Sequence, residues 1–203
     1  MKLKKRIMAC VVAAAVVVTS AMTVMATGSI DKTGKAEGYK VEVVDTESAV
    51  YQEIKETYTV LPTAVVDVNK GTDEMKDFIA AAKEETTVNE NLTDEQKENL
   101  TEIAEKLEGT EFVTAFYSLT EDENSDVTIE KTEDGKYKVT LTVENLTDEL
   151  TGLKVLAYNA KTGLWEIIEI PAEDIDVENH TVTITLEDVT LFSIISDDPE
   201  ANK

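Results

Sequence analysis

Apolar residues recur at a period near 3.6 before Gly109 and at a period of 2 after it, so one chain must supply helices first and strands second. Met75, Phe78, Ile79 and Ala82 stand at i, i+3, i+4 and i+7, and Leu100, Ile103, Ala104 and Leu107 repeat that spacing. Thr72 is placed to cap the first helix, and Asp73 and Glu74 complement the positive end of its dipole. Thr93-Asp94-Glu95-Gln96 reads as a capping box for the second, which Gly109 ends in the left-handed region. Residues 48–59, with Val50, Ile54, Tyr58 and then Leu61 at helical spacing, predict another helix that Pro62 stops. Residues 39–44 read as a short strand, as do residues 64–68 before the turn Asn69-Lys70-Gly71.

After Gly109 the pattern predicts strands over 111–119, 126–130, 137–143, 153–158, 165–170, 181–186 and 191–196. Tyr137, Val139, Leu141 and Val143 alternate with Lys138, Thr140 and Thr142, and Val182, Ile184 and Leu186 alternate with threonines. Asn159-Ala160-Lys161-Thr162-Gly163 has hairpin-turn chemistry between two of the strands. Short strands with regular turn signals predict an antiparallel β-sandwich. The fold class expected is therefore α+β: a small helical region at 39–109 followed by an Ig-like sandwich at 110–198. Trp165, the single tryptophan, is the expected core anchor.

Gly163-Leu164-Trp165-Glu166-Ile167, the strand Thr181-Val182-Thr183-Ile184-Thr185-Leu186 and the closing Leu191-Phe192-Ser193-Ile194-Ile195 carry a resemblance. Together they resemble a terminal Ig-like β-sandwich module of exported proteins from clostridial-type Gram-positive bacteria, over about residues 110–196. That resemblance implies an extracellular module without an assigned catalytic activity, and it supplies no functional residues.

The N-terminus independently predicts export. Lys2, Lys4, Lys5 and Arg6 precede an unbroken apolar run from Ile7 to Val18, and Val24-Met25-Ala26 is a small-x-small cleavage site. This is the layout of a secretory signal peptide over residues 1–26. Ile7-Met8-Ala9-Cys10 matches a lipoprotein box superficially, but the apolar run follows the cysteine instead of preceding it. Residues 27–38, poor in apolar side chains, read as a flexible leader. No second apolar stretch long enough to span a bilayer occurs. The acidic end at 196–200 has no wall-sorting motif, so release or non-covalent retention is expected.

Cleavage after Ala26 leaves 15 of the 19 basic residues against all 42 acidic ones, a formal charge of −27 with no arginine. Such a polyanion repels nucleic acid and anionic lipid, and it lacks the guanidinium fork for phosphate. With Cys10 removed, no disulfide or thiolate chemistry remains, and the fold must rest on its apolar core.

Candidates for chemistry are few. His180, the sole histidine, sits beside Asn179 in an expected turn, and no nucleophile motif accompanies it. Carboxylates are so numerous that chance pairs are expected, and a glycosidase also needs fixed separation and an aromatic-lined cleft. The 121–126 loop, Glu121-Asp122-Glu123-Asn124-Ser125-Asp126, gathers oxygen ligands of the kind calcium uses but lacks EF-hand spacing, so a solvated acidic loop is expected. Sequons at Asn91, Asn99, Asn145 and Asn179 read as chance and turn chemistry in a bacterial-type chain. The expectation is a secreted, non-enzymatic interaction or structural module with no catalytic, cofactor or metal residues, partnered by a protein or glycan. A carbohydrate-binding sandwich is the alternative, and exposed Tyr117, Tyr158 or Trp165 would mark it.

Overall fold

The structure is a computed structural model that describes residues 30–122, 125, 127, 130–187 and 191–199. The expected signal peptide, Cys10, most of the expected 126–130 strand and the centre of the 121–126 loop lie outside these residues. The described chain is α+β, with four helices and a mostly antiparallel sheet of ten strands that curls into a half-barrel.

The helices are α1 (Ala49–Thr57), α2 (Leu61–Lys70), α3 (Met75–Val88) and α4 (Asp94–Lys106). The capping box of α4 is present: Thr93 Oγ1 accepts the Gln96 N–H at 3.2 Å, and Gln96 Oε1 accepts the Thr93 N–H at 3.0 Å. Gly109 takes φ 78° just beyond that helix, as expected. The expected Thr72 cap of α3 is replaced. Glu74 is the N-cap residue, Asp77 accepts its N–H at 3.0 Å, and Thr72 donates to Asp67 O instead.

Residues 64–68, expected as a strand, lie in the middle of α2. Pro62 begins this helix instead of only ending the one before it, because at the first turn its missing N–H is not needed. Leu61, Ala64, Val65 and Val68 are all buried, so tertiary packing overrides the β preference of the valines.

The strands are β1 (Lys35–Ala36), β2 (Tyr39–Val43), β3 (Thr110–Phe112), β4 (Tyr117–Glu121), β5 (Tyr137–Thr142), β6 (Lys154–Asn159), β7 (Leu164–Glu169), β8 (Ile175–Asp176), β9 (Thr181–Leu186) and β10 (Leu191–Asp197). Their order is β7-β6-β10-β4-β2-β1-β5-β9-β8, with β3 also pairing β10. The strand expected over 111–119 is split into β3 and β4. Between them the N–H groups of Val113 and Thr114 both donate to Ile194 O, at 2.9 and 3.2 Å, while Thr114 Oγ1 accepts the Ile194 N–H at 2.9 Å. Two residues thus oppose one, as in a bulge.

The expected leader also differs from the structure within residues 30–38. Lys35 and Ala36 form β1, which pairs with both β2 and β5, and Asp31 is buried. Local composition concealed this because the segment is held by distant groups. Asp31 N donates to Val113 O at 2.9 Å, Ala115 N to Asp31 O at 2.8 Å, and Glu144 N to Asp31 Oδ2 at 2.8 Å.

Two apolar clusters flank β6, β10 and β4. One joins the helices to Phe112, Phe116, Leu156, Tyr158, Trp165, Leu191 and Ile195, so the helical stripes share a core with the sheet. The other fills the inside of the curl, where Val155, Phe192, Ile194 and Tyr117 meet Val139, Leu141, Val182, Ile184 and Leu186. Both faces of β6 and β10 are therefore covered, and their sequences run apolar without alternation. By contrast β5 and β9 alternate, since only one of their faces is fully buried.

Candidate functional site

The buried polar side chains sit where backbone would otherwise be left unpaired. Helix α2 has no side-chain cap of its own, and α3 supplies one from 24 to 26 residues away. Glu85 Oε1 accepts the Thr59 N–H at 2.8 Å, and its Oε2 accepts those of Val60 and Leu61 at 2.5 and 3.0 Å. Asn89, one turn on, donates to Glu85 Oε1 at 2.8 Å and to Thr57 O at 2.9 Å. A carboxylate among helix N-terminal N–H groups is stabilised both by their hydrogen bonds and by the helix dipole.

Asn69, on the last turn of α2, performs the equivalent task for the sheet. Its Nδ2 donates to Val44 O at 2.7 Å and to Phe116 O at 3.1 Å, and its Oδ1 accepts the Phe116 N–H at 2.6 Å. Thr114 and Ser193, both buried, close the bulge: Ser193 Oγ donates to Thr114 O at 2.8 Å. Glu85 lies on the apolar stripe of α3 with Met75, Phe78 and Ala82, and an acid in such a stripe was the available signal. Asn69 gave no comparable sign, because it read as a turn residue.

The sequence-derived candidates fall in separate places. His180 occupies a turn with φ 54°, where Nδ1 lies 3.1 Å from Leu146 O and its own carbonyl accepts the Val143 N–H at 2.8 Å. Trp165, Tyr158 and Tyr117 are 1%, 3% and 2% exposed, and point into the two cores. Trp165 packs against Phe78, Phe116 and Tyr158 at centroid distances of 5.5, 6.0 and 5.5 Å. Of the remaining aromatic residues Tyr51 and Tyr137 are half-buried and the others are buried, so none is fully exposed. Burial raises the phenol pKa of Tyr58, Tyr117, Tyr158 and Tyr39 above the usual tyrosine value. The sequon residue Asn99 is used structurally, as both of its amide atoms bond the backbone of Trp165.

Concave space lies along the seam where the half-barrel stays open, between β7 and β9. A cavity of about 160 Å³ there is floored by Val155, Ile168, Ile170 and Ile184, and a smaller hollow continues it past Glu166 toward Glu187. Among the described residues, no group of three or more histidine, cysteine or acidic side chains is arranged to hold a metal ion. No helix among them is long and apolar enough to cross a membrane.

Comparison with protein-family models, with curated protein sequences and with solved structures finds no match to this chain.

Proposed function

We propose that the chain is an exported, non-catalytic extracellular module of a Gram-positive bacterium that acts by binding or by structural support. One observation carries this reading: among the described residues, most of the buried polar side chains are committed to backbone. Glu85, Asn89, Asn69, Asp31, Thr114 and Ser193 all bond main-chain groups, whereas a catalytic acid, base or nucleophile must reach a substrate. The carbohydrate-binding alternative has less support, because Trp165, Tyr117 and Tyr158, the aromatic side chains expected to mark it, are turned inward.

An Ig-like sandwich is the finer reading of the fold that we favour. Among the described residues, the two-residue β1 alone joins β7-β6-β10-β4-β2 to β5-β9-β8, and the apolar cluster between those two groups resembles the filling of a sandwich.

Fractionation of producing cells tests the reading. The mature chain is expected outside the cytoplasm, beginning at or near Thr27, and saturably retained by isolated cell envelopes. A cytoplasmic chain with Met1 intact, or one indifferent to envelopes, would overturn it.

A further inference from the structure

The seam between β7 and β9 has the features of a strand acceptor. Backbone alternation on β7 is fixed by Asn99, which bonds both the N–H and the C=O of Trp165 on the side away from β6. Ile170 N donates to Leu153 O toward β6 at 3.2 Å, in the same phase. By the period of 2, the N–H and C=O groups of Ile167 and Glu169 also face away from β6. They continue the edge beyond the point where α4 shields it.

On the other side of the seam, Val143 N donates to His180 O, which sets the phase of the β5–β9 ladder. Thr183 and Thr185 therefore turn their backbone groups away from β5; the Thr183 N–H closes the Ile175–Val182 pair of β8, and Thr185 lies past the point where the two-residue β8 stops pairing. Two strand edges with open backbone thus border one groove, the arrangement to which an extended segment adds.

The lining selects the segment. Glu166, Ile168 and Ile170 of the β7 side face inward, with the 160 Å³ cavity at Ile168 large enough for one apolar group of about benzene size. The charged residues lining the cavity and its continuation are all acidic: Glu169, whose backbone borders it, and Asp174, Glu166 and Glu187, the last of which also lies 3.3 Å from Lys136 Nζ. A second copy of this chain, at −23, would bring like charge to the same edge.

We propose that this seam takes an extended segment of a partner protein as an added strand on β7, presenting basic, apolar and basic side chains at alternate positions. The apolar side chain enters the cavity over Val155, Ile168 and Ile184. One basic side chain meets Glu166 and Glu187, and the other meets Asp174. The proposal rests on reading the chain as an interaction module and names the surface and the chemistry of its partner.

The test uses the mature full chain and a capped peptide of sequence TKTVTKT, titrated while backbone amides are followed by NMR. Saturable binding is expected, with the Ile167 and Glu169 amides shifted and slowed in hydrogen exchange. The charge-reversed peptide TETVTET should bind at least tenfold more weakly, and so should TKTATKT. Glu169→Pro removes an N–H that β6 does not use, so it should weaken TKTVTKT at least tenfold while leaving the thermal midpoint nearly unchanged. The pair Glu166→Lys with Glu187→Lys should invert the preference between the two charged peptides.

Equal binding of the lysine and glutamate peptides, undiminished binding to a folded Glu169→Pro chain, or no saturable binding up to millimolar peptide each overturn the proposal. Envelope retention that TKTVTKT fails to compete would remove the seam as the contact while leaving the module reading intact. Absence of export and of envelope retention would instead remove that reading itself.

Discussion

Asn99 of α4 holds Trp165 of β7 by both backbone groups, donating from Nδ2 to Trp165 O and accepting the Trp165 N–H at Oδ1, each at 2.9 Å. A side-chain amide thereby stands in for the neighbouring strand that β7 lacks at this point. Removing it exposes two strand groups that water can only partly reach. Asn99→Ala should cost about 1–2 kcal/mol in urea unfolding. Asn99→Asp should cost more than Asn99→Ala, because its carboxylate cannot donate and instead meets the Trp165 carbonyl. If both variants match the wild type, the amide contributes no net stability.

Glu85 offers a sharper case, since it accepts only from donors. Glu85→Ala leaves three N–H groups at the start of α2 without their acceptor and should cost about 2–4 kcal/mol. Glu85→Gln keeps the shape, but either orientation of its amide places an NH₂ against N–H groups. One orientation faces Thr59 and Asn89, the other Val60 and Leu61. Nearly equal losses for the two variants are expected by chemical denaturation. A Gln variant as stable as the wild type would mean that shape alone suffices.

How legible these contacts were depends on their sequence separation. The capping box at Thr93, the Gly109 terminus and the Asn159–Gly163 turn are local devices, and residues within a few positions determine them. Alternation in β5 and β9 was equally plain, because one face of each is solvated. Helix α2 was not legible: its cap lies on α3, and its valines are helical because their neighbours bury them. Residues 30–36 looked like a leader because what orders them, Val113, Ala115, Tyr117 and Glu144, lies about 80 to 110 positions along the chain. The seam was likewise hidden, since two strands that fail to meet leave no mark on either sequence.

Trp165 provides an optical test of the helix–sheet core. Its indole lies among Phe78, Phe116 and Tyr158, and its Nε1 has no hydrogen-bond partner among the described residues. Native fluorescence should therefore lie at short wavelength and move red in one step with unfolding. Trp165→Ala should cost about 3–5 kcal/mol, the range for a large aromatic deleted from a packed core. A native spectrum already at the solvent wavelength would contradict the packing described.

Alkaline titration tests both cores together. Burial raises the phenol pKa of Tyr39, Tyr58, Tyr117 and Tyr158, so in the folded chain these groups keep their protons where the unfolded chain has released them. Their contribution to stability is fully present below the unfolded value, about 10. It is lost as pH rises from there toward the folded values, because the unfolded state then binds fewer protons. Tyrosinate absorbance from these four should emerge together with loss of the circular dichroism signal. Four independent titrations at the ordinary value, with the fold intact, would show that these phenols are open to solvent.

Gly34 and Tyr117 test whether the N-terminal segment is part of the fold. Tyr117 Oη donates to Asp31 O at 2.7 Å and accepts the Gly34 N–H at 3.1 Å, which pins its ring beneath the segment. A Cβ added at Gly34 would stand 2.8 Å from Tyr117 Cζ and 2.9 Å from Cε2, closer than carbon atoms approach. Phe192 packs beside Tyr117, with ring centroids 6.0 Å apart, and restricts its retreat. Gly34→Ala should therefore cost about 1–3 kcal/mol through overpacking, with the segment 30–36 losing amide protection first. Tyr117→Phe keeps the ring in place and should not relieve that cost. Tyr117→Leu shortens the side chain, so a double-mutant cycle with Gly34→Ala should show a favourable coupling beyond about 0.5 kcal/mol. Strict additivity of Gly34→Ala with Tyr117→Leu would separate the two residues and release the segment from the sheet.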